Sequence, residues 1–399
     1  MENKRLLILG AGRGQLGLYK AAKELGITTI AGTMPRYHKP CIELADEVCY
    51  MDISNPDDVY EKSKDLKLDG AATCCLDTGI SSLGRLNDKL NMVGITEYSA
   101  KMCNDKSIMK NAFMDNGVNT AKYYEISNEN ELEDALNKIK LPVIIKATDL
   151  QGSNGIYIAR SKDEAIAGFS QAMDKTKRDY CLIEEFIEGW EFGAQAFVYN
   201  DEVLFVMPHG DETYMSHTAV PVGHYVPLDA KESIHEKAKE EVIKAIKALN
   251  LNNCAVNVDM ILKDDEVYII ELTGRVGANC LPELVEINYG IEYYKMIALM
   301  ALGENPLTYW EKRSDKNKAG LARMIIEEEN SGVLDEIINE NTSDADIKEI
   351  TFFKNNGDEI RKFENSNDCI GQIIVEGKSL EDCEEKLKEV SNKIKIILN

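Results

Sequence analysis

The densest set of groups able to do chemistry lies in residues 257–275, Asn-Val-Asp-Met-Ile-Leu-Lys-Asp-Asp-Glu-Val-Tyr-Ile-Ile-Glu-Leu-Thr-Gly-Arg. Folded as a hairpin about Asp265, this stretch sets Asp259 opposite Glu271 and Ile261 opposite Ile269. Successive side chains of a strand alternate faces. Val256, Val258, Met260, Tyr268, Ile270 and Leu272 then share an apolar face, and Asn257, Asp259, Ile261, Ile269, Glu271 and Thr273 share the other. Like charges directly opposed across a ladder repel. The pairing makes sense around a hard cation. Carboxylates with few other protein ligands suit Mg²⁺, which keeps waters and accepts phosphate oxygens. The plainer alternative is a solvated acidic face, common in so acidic a chain.

Three other segments bear on that choice. In Val143-Ile-Ile-Lys146-Ala-Thr-Asp-Leu-Gln-Gly152-Ser153-Asn-Gly155, a lysine ends a buried strand and a small-residue loop follows. Backbone N–H groups of such a loop can wrap phosphate oxygens while Lys146 supplies a point charge. In Leu182-Ile-Glu184-Glu185-Phe-Ile187-Glu-Gly-Trp-Glu191, a strand runs into a linker. Backbone groups at Glu185 and Ile187 could read an adenine edge, and Glu191 could accept from ribose hydroxyls. Ile144, Ile183 and Ile261 could supply the apolar walls. In Asn104-Asp105-Lys106-Ser107, Asp105 is a helix N-cap, and Lys106 in the first turn opposes the helix dipole, which favours an anionic partner. The bland readings are a hairpin loop, a charged turn and a surface lysine.

The elements that must position these groups follow from periodicity. Residues 1–100 alternate strand and helix, with strands near 4–10, 28–31, 47–51 and 70–75 and helices at 15–25 and 59–65, which implies a parallel, doubly wound sheet. Helices follow at 105–116 and 129–139, then strands at 142–147 and 155–159, a helix at 163–173 and a strand at 180–186. An antiparallel pair is expected at 193–199 and 202–207, with helices at 233–249 and 289–302. The tail carries strands near 319–327, 347–353 and 371–376 and closes on a helix at 380–394.

The chain has 399 residues and a formal net charge of −23. That excess opposes sequence-independent binding of nucleic acid, which needs basic patches. No apolar run approaches the roughly 20 residues that span a bilayer, and residues 6–9 are too short for a signal peptide's apolar region. Ten cysteines without a C-x-x-C pair read as buried thiols in a reducing cytoplasm rather than as a zinc site. Gly10-Ala-Gly12-Arg-Gly14-Gln-Leu-Gly17 invites a dinucleotide reading. The tip of the second strand, Ala31-Gly32-Thr33-Met34, lacks the carboxylate that would hold ribose hydroxyls, and Arg36 is the nearby group that would suit a 2′-phosphate. Close packing, or an anion or substrate site at the helix N-terminus, accounts for these glycines without a redox cofactor. His209, His217 and His224 fall between core strands. One could orient or deprotonate an amine, and Asp211 and Glu212 could hold an ammonium, though packing is the commoner role for each.

In this order and spacing, the segments around Lys106, Lys146–Gly155, Glu184–Glu191 and Asp259–Arg275 resemble the ATP-grasp superfamily. Within it the chain resembles the carboxylate–amine ligases grouped near carbamoyl phosphate synthase, biotin carboxylase and L-amino-acid ligases. The resemblance covers nearly the whole chain and implies an α/β and α+β architecture. A Rossmann-like preliminary domain over 1–98 would lie on the substrate side. ATP-grasp lobes over 99–188 and 189–310 would follow, the second carrying the metal site, and then a small C-terminal α+β subdomain over 311–399. It implies that Lys106 and Lys146 contact the nucleotide phosphates and that Gly152, Ser153 and Gly155 belong to a mobile loop closing over them. Glu184, Glu185 and Ile187 would hold adenine beside Ile261, and Glu191 the ribose. Asp259 and Glu271 would bind Mg²⁺, for which Mn²⁺ can substitute. Arg275 would steady the transferred phosphate, and Asn279 would touch phosphate or substrate. Thr273 stands where the family usually has an Asn, so it offers the second metal ion a weaker ligand. The implied reaction activates a carboxylate as an acyl phosphate and couples it to an amine, giving ADP and phosphate. The alternatives are an NAD(P)-binding oxidoreductase and a non-catalytic ATP-binding module. The expected partners are a small-molecule carboxylate and amine, with no nucleic acid and no membrane, and the expected assembly is a homodimer.

Overall fold

The computed structural model describes residues 3–35, 40–150, 155–216, 219–314, 316–342 and 344–399. Arg36, Gly152, Ser153 and His217 lie outside the described residues. Four short strands open the chain: β1 (Arg5–Leu9), β2 (Thr28–Thr33), β3 (Glu47–Tyr50) and β4 (Gly70–Ala72). They pair in parallel in the order β3-β2-β1-β4. Leu6, Leu7, Ile8 and Leu9 of β1 are all fully buried, as a parallel strand covered on both faces requires. Helices α1 (Leu16–Glu24), α2 (Pro56–Ser63), α3 (Ile80–Leu90) and α4 (Glu97–Asn104) complete this part.

The glycine-rich turn after β1 is filled by the chain itself. Gln15 accepts the Gly12 N–H at Oε1 (2.9 Å) and donates from Nε2 to the Cys74 carbonyl (2.6 Å). A Cβ on Gly17 would come within 2.2 Å of the Tyr294 ring. The glycines therefore serve close packing, and the N–H a pyrophosphate would need is already taken.

Helix α5 (Lys106–Asp115) starts at Asp105, whose carboxylate accepts the N–H groups of Ser107 (3.0 Å) and Ile108 (3.2 Å). An antiparallel sheet follows in the order β5-β8-β6-β7, built from β5 (Tyr123–Ile126), β6 (Val143–Lys146), β7 (Ile156–Ala159) and β8 (Cys181–Glu185). Helices α6 (Glu129–Leu136) and α7 (Lys162–Lys175) cover one face, over a core that includes Val143, Ile145, Phe169 and Ile183. Alternation then turns Ile144, Lys146, Leu182 and Glu184 to the opposite face. Ile183 is thus a core residue, not a wall of the cleft as expected.

The largest sheet has eight strands in the order β13-β12-β9-β10-β11-β14-β18-β16. Its members up to β14 are β9 (Trp190–Tyr199), β10 (Glu202–Met215), β11 (Ala219–Val226), β12 (Cys254–Lys263), β13 (Glu266–Thr273) and β14 (Ala319–Ile325). Between them come α8 (Glu232–Ala248), α9 (Leu281–Tyr289), α10 (Tyr293–Ala301) and α11 (Leu307–Trp310). The helix expected over 289–302 is α10, and it starts later because Gly290, at φ 65°, ends a separate helix, α9, that was not expected. The tail adds β15 (Gly332–Asn339), β16 (Ile347–Phe352), β17 (Glu359–Ile360), β18 (Gly371–Gly377), α12 (Leu380–Asn392) and β19 (Ile394–Leu398). Its strands β14, β18 and β16 extend the same sheet through the β11–β14 pairing. Strands β17, β15 and β19 form a separate small sheet. Among the described residues no helix is long and apolar enough to cross a membrane.

Candidate active site

The β12–β13 hairpin turns at Asp264 and Asp265, both at positive φ (52° and 59°), with Lys263 facing Glu266. A two-residue turn with both central φ positive matches the twist of antiparallel strands. Continued regularly, that register would face Asp259 with Ile270. A bulge leaves Ile270 out of the ladder, and Asp259 faces Glu271. Bulges commonly re-aim side chains beside active sites. The position of the turn corrects two expectations on its own side of the bulge. Ile261 faces Tyr268 rather than Ile269, and Val267 and Ile269, each 1% exposed, enter the core in place of Tyr268 and Ile270.

Three cations surround the carboxylate pair. Lys106 Nζ lies 2.8 Å from Glu271 Oε2. Arg275 forks onto Asp77, Nε to Oδ1 at 2.7 Å and Nη2 to Oδ2 at 2.5 Å. Asp77, Lys106, Asp149, Asp259, Glu271 and Arg275 line a cavity of about 80 Å³, and Lys146 adds to the field on Glu271. Lys106 is the main cause that holds the Glu271 carboxyl below its ordinary range, against burial. Burial pushes Asp259 up to about 7, Glu271 and Asp211 add to the rise, and Arg275 and an Asn257 hydrogen bond only partly offset it. An ionised partner beside a carboxyl that stays protonated near neutrality is a donor set that a hard divalent ion would complete.

The sign of this shift gives a prediction. Asp259 titrates higher folded than unfolded, so its contribution to stability is full below about pH 4 and is lost as pH rises toward 7. A divalent ion must displace that proton at lower pH. Without nucleotide, Mn²⁺ affinity is therefore expected to be about tenfold weaker at pH 6 than at pH 8. Titration followed by electron paramagnetic resonance checks this, and a flat profile would remove Asp259 from the ligand set.

On the facing sheet, Lys146 donates to Glu184 Oε2 at 3.0 Å, and Lys110 approaches the same oxygen at 3.2 Å. Burial pushes the Glu184 carboxyl up, but the two ammoniums outweigh it and hold the group at about 2. The Glu185 N–H is taken by the Lys122 carbonyl at 2.8 Å, so of its two backbone groups the carbonyl is the one that could read a base edge. Ile187 is buried at 7%, and Glu191 stands exposed opposite Ile261. Gly155 is at φ 70°, and its carbonyl accepts from Ala147 N at 2.9 Å.

A buried polar stripe runs from the carboxylate pair across β12, β9, β10 and β11. Asn257 donates to Asp259 (3.2 Å) and accepts from Gln195 (2.7 Å), and Gln195 Nε2 lies 3.2 Å from His209 Nε2. The Gly277 N–H fixes the Gln195 amide by donating to its oxygen at 2.8 Å. His209 and His224 both turn Nδ1 to Asp211 Oδ1, at 3.0 and 2.6 Å. Burial raises the Asp211 carboxyl, but the two imidazoles prevail and hold it well below the usual range. These are hydrogen-bond separations, shorter than the roughly 3.4 Å between tetrahedral zinc ligands at about 2.1 Å from the ion. Asp211 is thus committed to the histidines, and Glu212 is committed to Arg323, which forks onto it with Nε to Oε2 at 2.6 Å. Neither is free for an ammonium in this arrangement. The Thr273 hydroxyl donates to Asp77 at 3.1 Å, which orients its oxygen and leaves the lone pairs open. Asn279, at φ 53°, sits beside a second and larger cavity at the start of α9.

Sequence reasoning passed over Lys110 and Gln195, and reached Asp77 only as part of residues 76–85, a strand end expected to help choose the substrate. Asp77 follows β4 at the carboxyl end of a parallel sheet, where ligands of open α/β sheets gather. That position was the one signal that could have singled it out.

Comparison with known proteins shows the family. Residues 104–279 match the family described as phosphoribosylglycinamide synthetase, ATP-grasp (A) domain, and residues 326–399 match L-amino acid ligase C-terminal domain 2. The crystal structure of phosphoribosylglycinamide synthetase from Anaerococcus prevotii is 72% identical. It superposes with a TM-score of 0.91, covering 99% of this chain and 100% of that one. A formate-dependent phosphoribosylglycinamide formyltransferase of Prochlorococcus marinus subsp. pastoris is 26% identical over 71% of this chain and 73% of its own length. A D-alanine–D-alanine ligase of Bacillus anthracis is 26% identical over 64% of this chain and 85% of its own.

Proposed function

The chain belongs to the ATP-grasp family of ATP-dependent carboxylate–amine ligases, and on that premise we propose that its reacting centre is the Asp259–Glu271 pair with Lys106, Lys146 and Arg275 around it. The observation that carries this reading is the bulged register that sets Asp259 against Glu271 beneath Lys106. Asp259 and Glu271 would hold Mg²⁺. When bound, the ion supplies charge neutralisation on the triphosphate. Lys106 and Lys146 bind phosphate oxygens, Gly152–Gly155 covers them and excludes water, and Ile187, Ile261 and the free oxygen of Glu184 face adenine, with Glu191 on the ribose. Arg275, aimed by Asp77, faces the transferring phosphoryl group. The substrate carboxylate oxygen bonds to the γ-phosphorus as the bond to ADP breaks. The amine nitrogen then bonds to the acyl carbon, the ammonium proton leaves to base, and phosphate departs.

The same reading divides the chain into a Rossmann-like unit over 1–98, lobes over 99–188 and 189–310 and a C-terminal unit over 311–399. It takes the protein as a cytoplasmic homodimer.

The carboxylate and amine would meet in the cavity of about 400 Å³ between the Gly12–Gln15 turn, the start of α9 and strands β14 and β18. Its two guanidiniums are engaged. Arg13 donates to the Ser366 carbonyl at 2.8 Å and Arg323 holds Glu212. A small zwitterion suits such a pocket better than a phosphomonoester does, and the amino-acid-ligase match of the tail supports amino acids as substrates. Synthesis of phosphoribosylglycinamide is the second reading, favoured by the 72% identical structure. An ADP-release screen separates them. At least one pair of amino acids is expected to raise ADP release about tenfold or more over ATP alone, with phosphoribosylamine plus glycine inert. The converse result would establish the second reading and overturn the first.

A further inference from the structure

Lys110 belongs to no motif, yet its side chain is 3% exposed, against 9% for Lys146 and 18% for Lys106. It lies one helical turn beyond Lys106 on α5, so both project from the same face. Its Nζ donates to Thr120 Oγ1 at 2.7 Å, and Thr120 in turn donates to the Ile269 carbonyl at 2.8 Å. Lys110 and Lys146 share one oxygen of Glu184, whose side chain is 2% exposed. The other oxygen, Oε1, is buried and has no partner among the described residues. Two ammoniums on one carboxylate exceed what neutrality needs. One of them can therefore leave without stranding a buried charge, which would be strongly destabilising. Lys110 is enclosed and tied to Thr120. Lys146 ends β6.

We propose that Lys110 is a positioning residue for the ligase: it keeps Glu184 paired, so that Lys146 is free to leave the carboxylate for the triphosphate of ATP. This rests on the nucleotide site assigned above. The groups facing Lys110 are Glu184, Lys146 and Glu271, and burial lowers its pKa while the carboxylates oppose that. Without Lys110, Lys146 would remain the sole counter-charge of Glu184 and be withheld from the phosphates.

Calorimetric titration of ATP and of adenosine into the whole protein tests this. Lys110→Met should weaken ATP about tenfold or more, one charged contact's worth, and adenosine less than about twofold. Lys110→Met/Glu184→Gln removes both charges, leaves no stranded carboxylate, and should recover ATP affinity to within about threefold of Glu184→Gln alone. Unchanged ATP affinity in Lys110→Met, a proportional loss of ATP and adenosine, or no recovery in the double variant would overturn the role. If the single variant fails to fold, the double variant against Glu184→Gln still decides. Wild-type protein that binds neither ligand would remove the nucleotide site itself, and this role with it.

Discussion

Replacing Glu271 by Gln is expected to lower ATP turnover about 10³-fold while leaving the fold intact, since Gln keeps the length and a hydrogen bond for Lys106. The change removes one of two charges facing the cation and leaves Asp259 without its ionised neighbour. Relief of that repulsion lets Asp259 ionise more readily, but Lys106 loses the ionised partner it pairs at 2.8 Å, so the metal-free variant should be modestly less stable than wild type at pH 8 while still folding. Lost turnover with only a small fall in melting temperature marks a residue held for chemistry. Turnover like that of wild type would remove Glu271 from the centre. Lost turnover together with a collapsed melting temperature would make its role structural.

Arg275→Lys should lower kcat about 10²–10³-fold and change ATP affinity less than about threefold. The guanidinium is 11% exposed and is aimed by two parallel bonds to Asp77. Lys keeps the charge but has no fork, so it cannot hold Asp77 and present donors to a transferring phosphoryl at once. Because that contact strengthens only as charge develops on the transferring group, the loss belongs in kcat. Rapid-quench measurement of ADP formation with a responsive substrate pair separates it from binding. A variant that loses ATP affinity in proportion to rate would place Arg275 in ground-state binding instead.

Local chemistry made part of this site legible. The alternation of Val256, Val258 and Met260 against Asn257 and Asp259 is a strand's own period. Asp105 before Lys106 is a cap readable from four residues. The opposition of Asp259 and Glu271 was read correctly from a turn placed at Asp265, but the turn lies between Asp264 and Asp265 and the bulge at Ile270 makes up the difference. A bulge is chosen by packing of Val267 and Ile269 into the core, which no window of the hairpin reveals. Ile183 was assigned to the wrong face because only α6 and α7 decide which side of that sheet is buried. The contacts that set the charges were hidden for a simpler reason. Asp77 meets Arg275 across 198 residues, Glu184 meets Lys110 across 74, and Gln195 meets Asn257 across 62. Periodicity carries no information at that range. The missing carboxylate at residues 31–34 already opposed a dinucleotide in the glycine-rich turn, but that Gln15 fills it through its side chain was not readable from the spacing.

The most direct test of the carboxylate pair is an anomalous-scattering map from crystals grown with Mn²⁺ and a non-hydrolysable ATP analogue. Manganese is predicted between Asp259 and Glu271, about 2.1 Å from a carboxylate oxygen of each, with triphosphate oxygens completing its shell. Manganese and triphosphate bound elsewhere, or either carboxylate more than about 5 Å from every ion, would contradict the account.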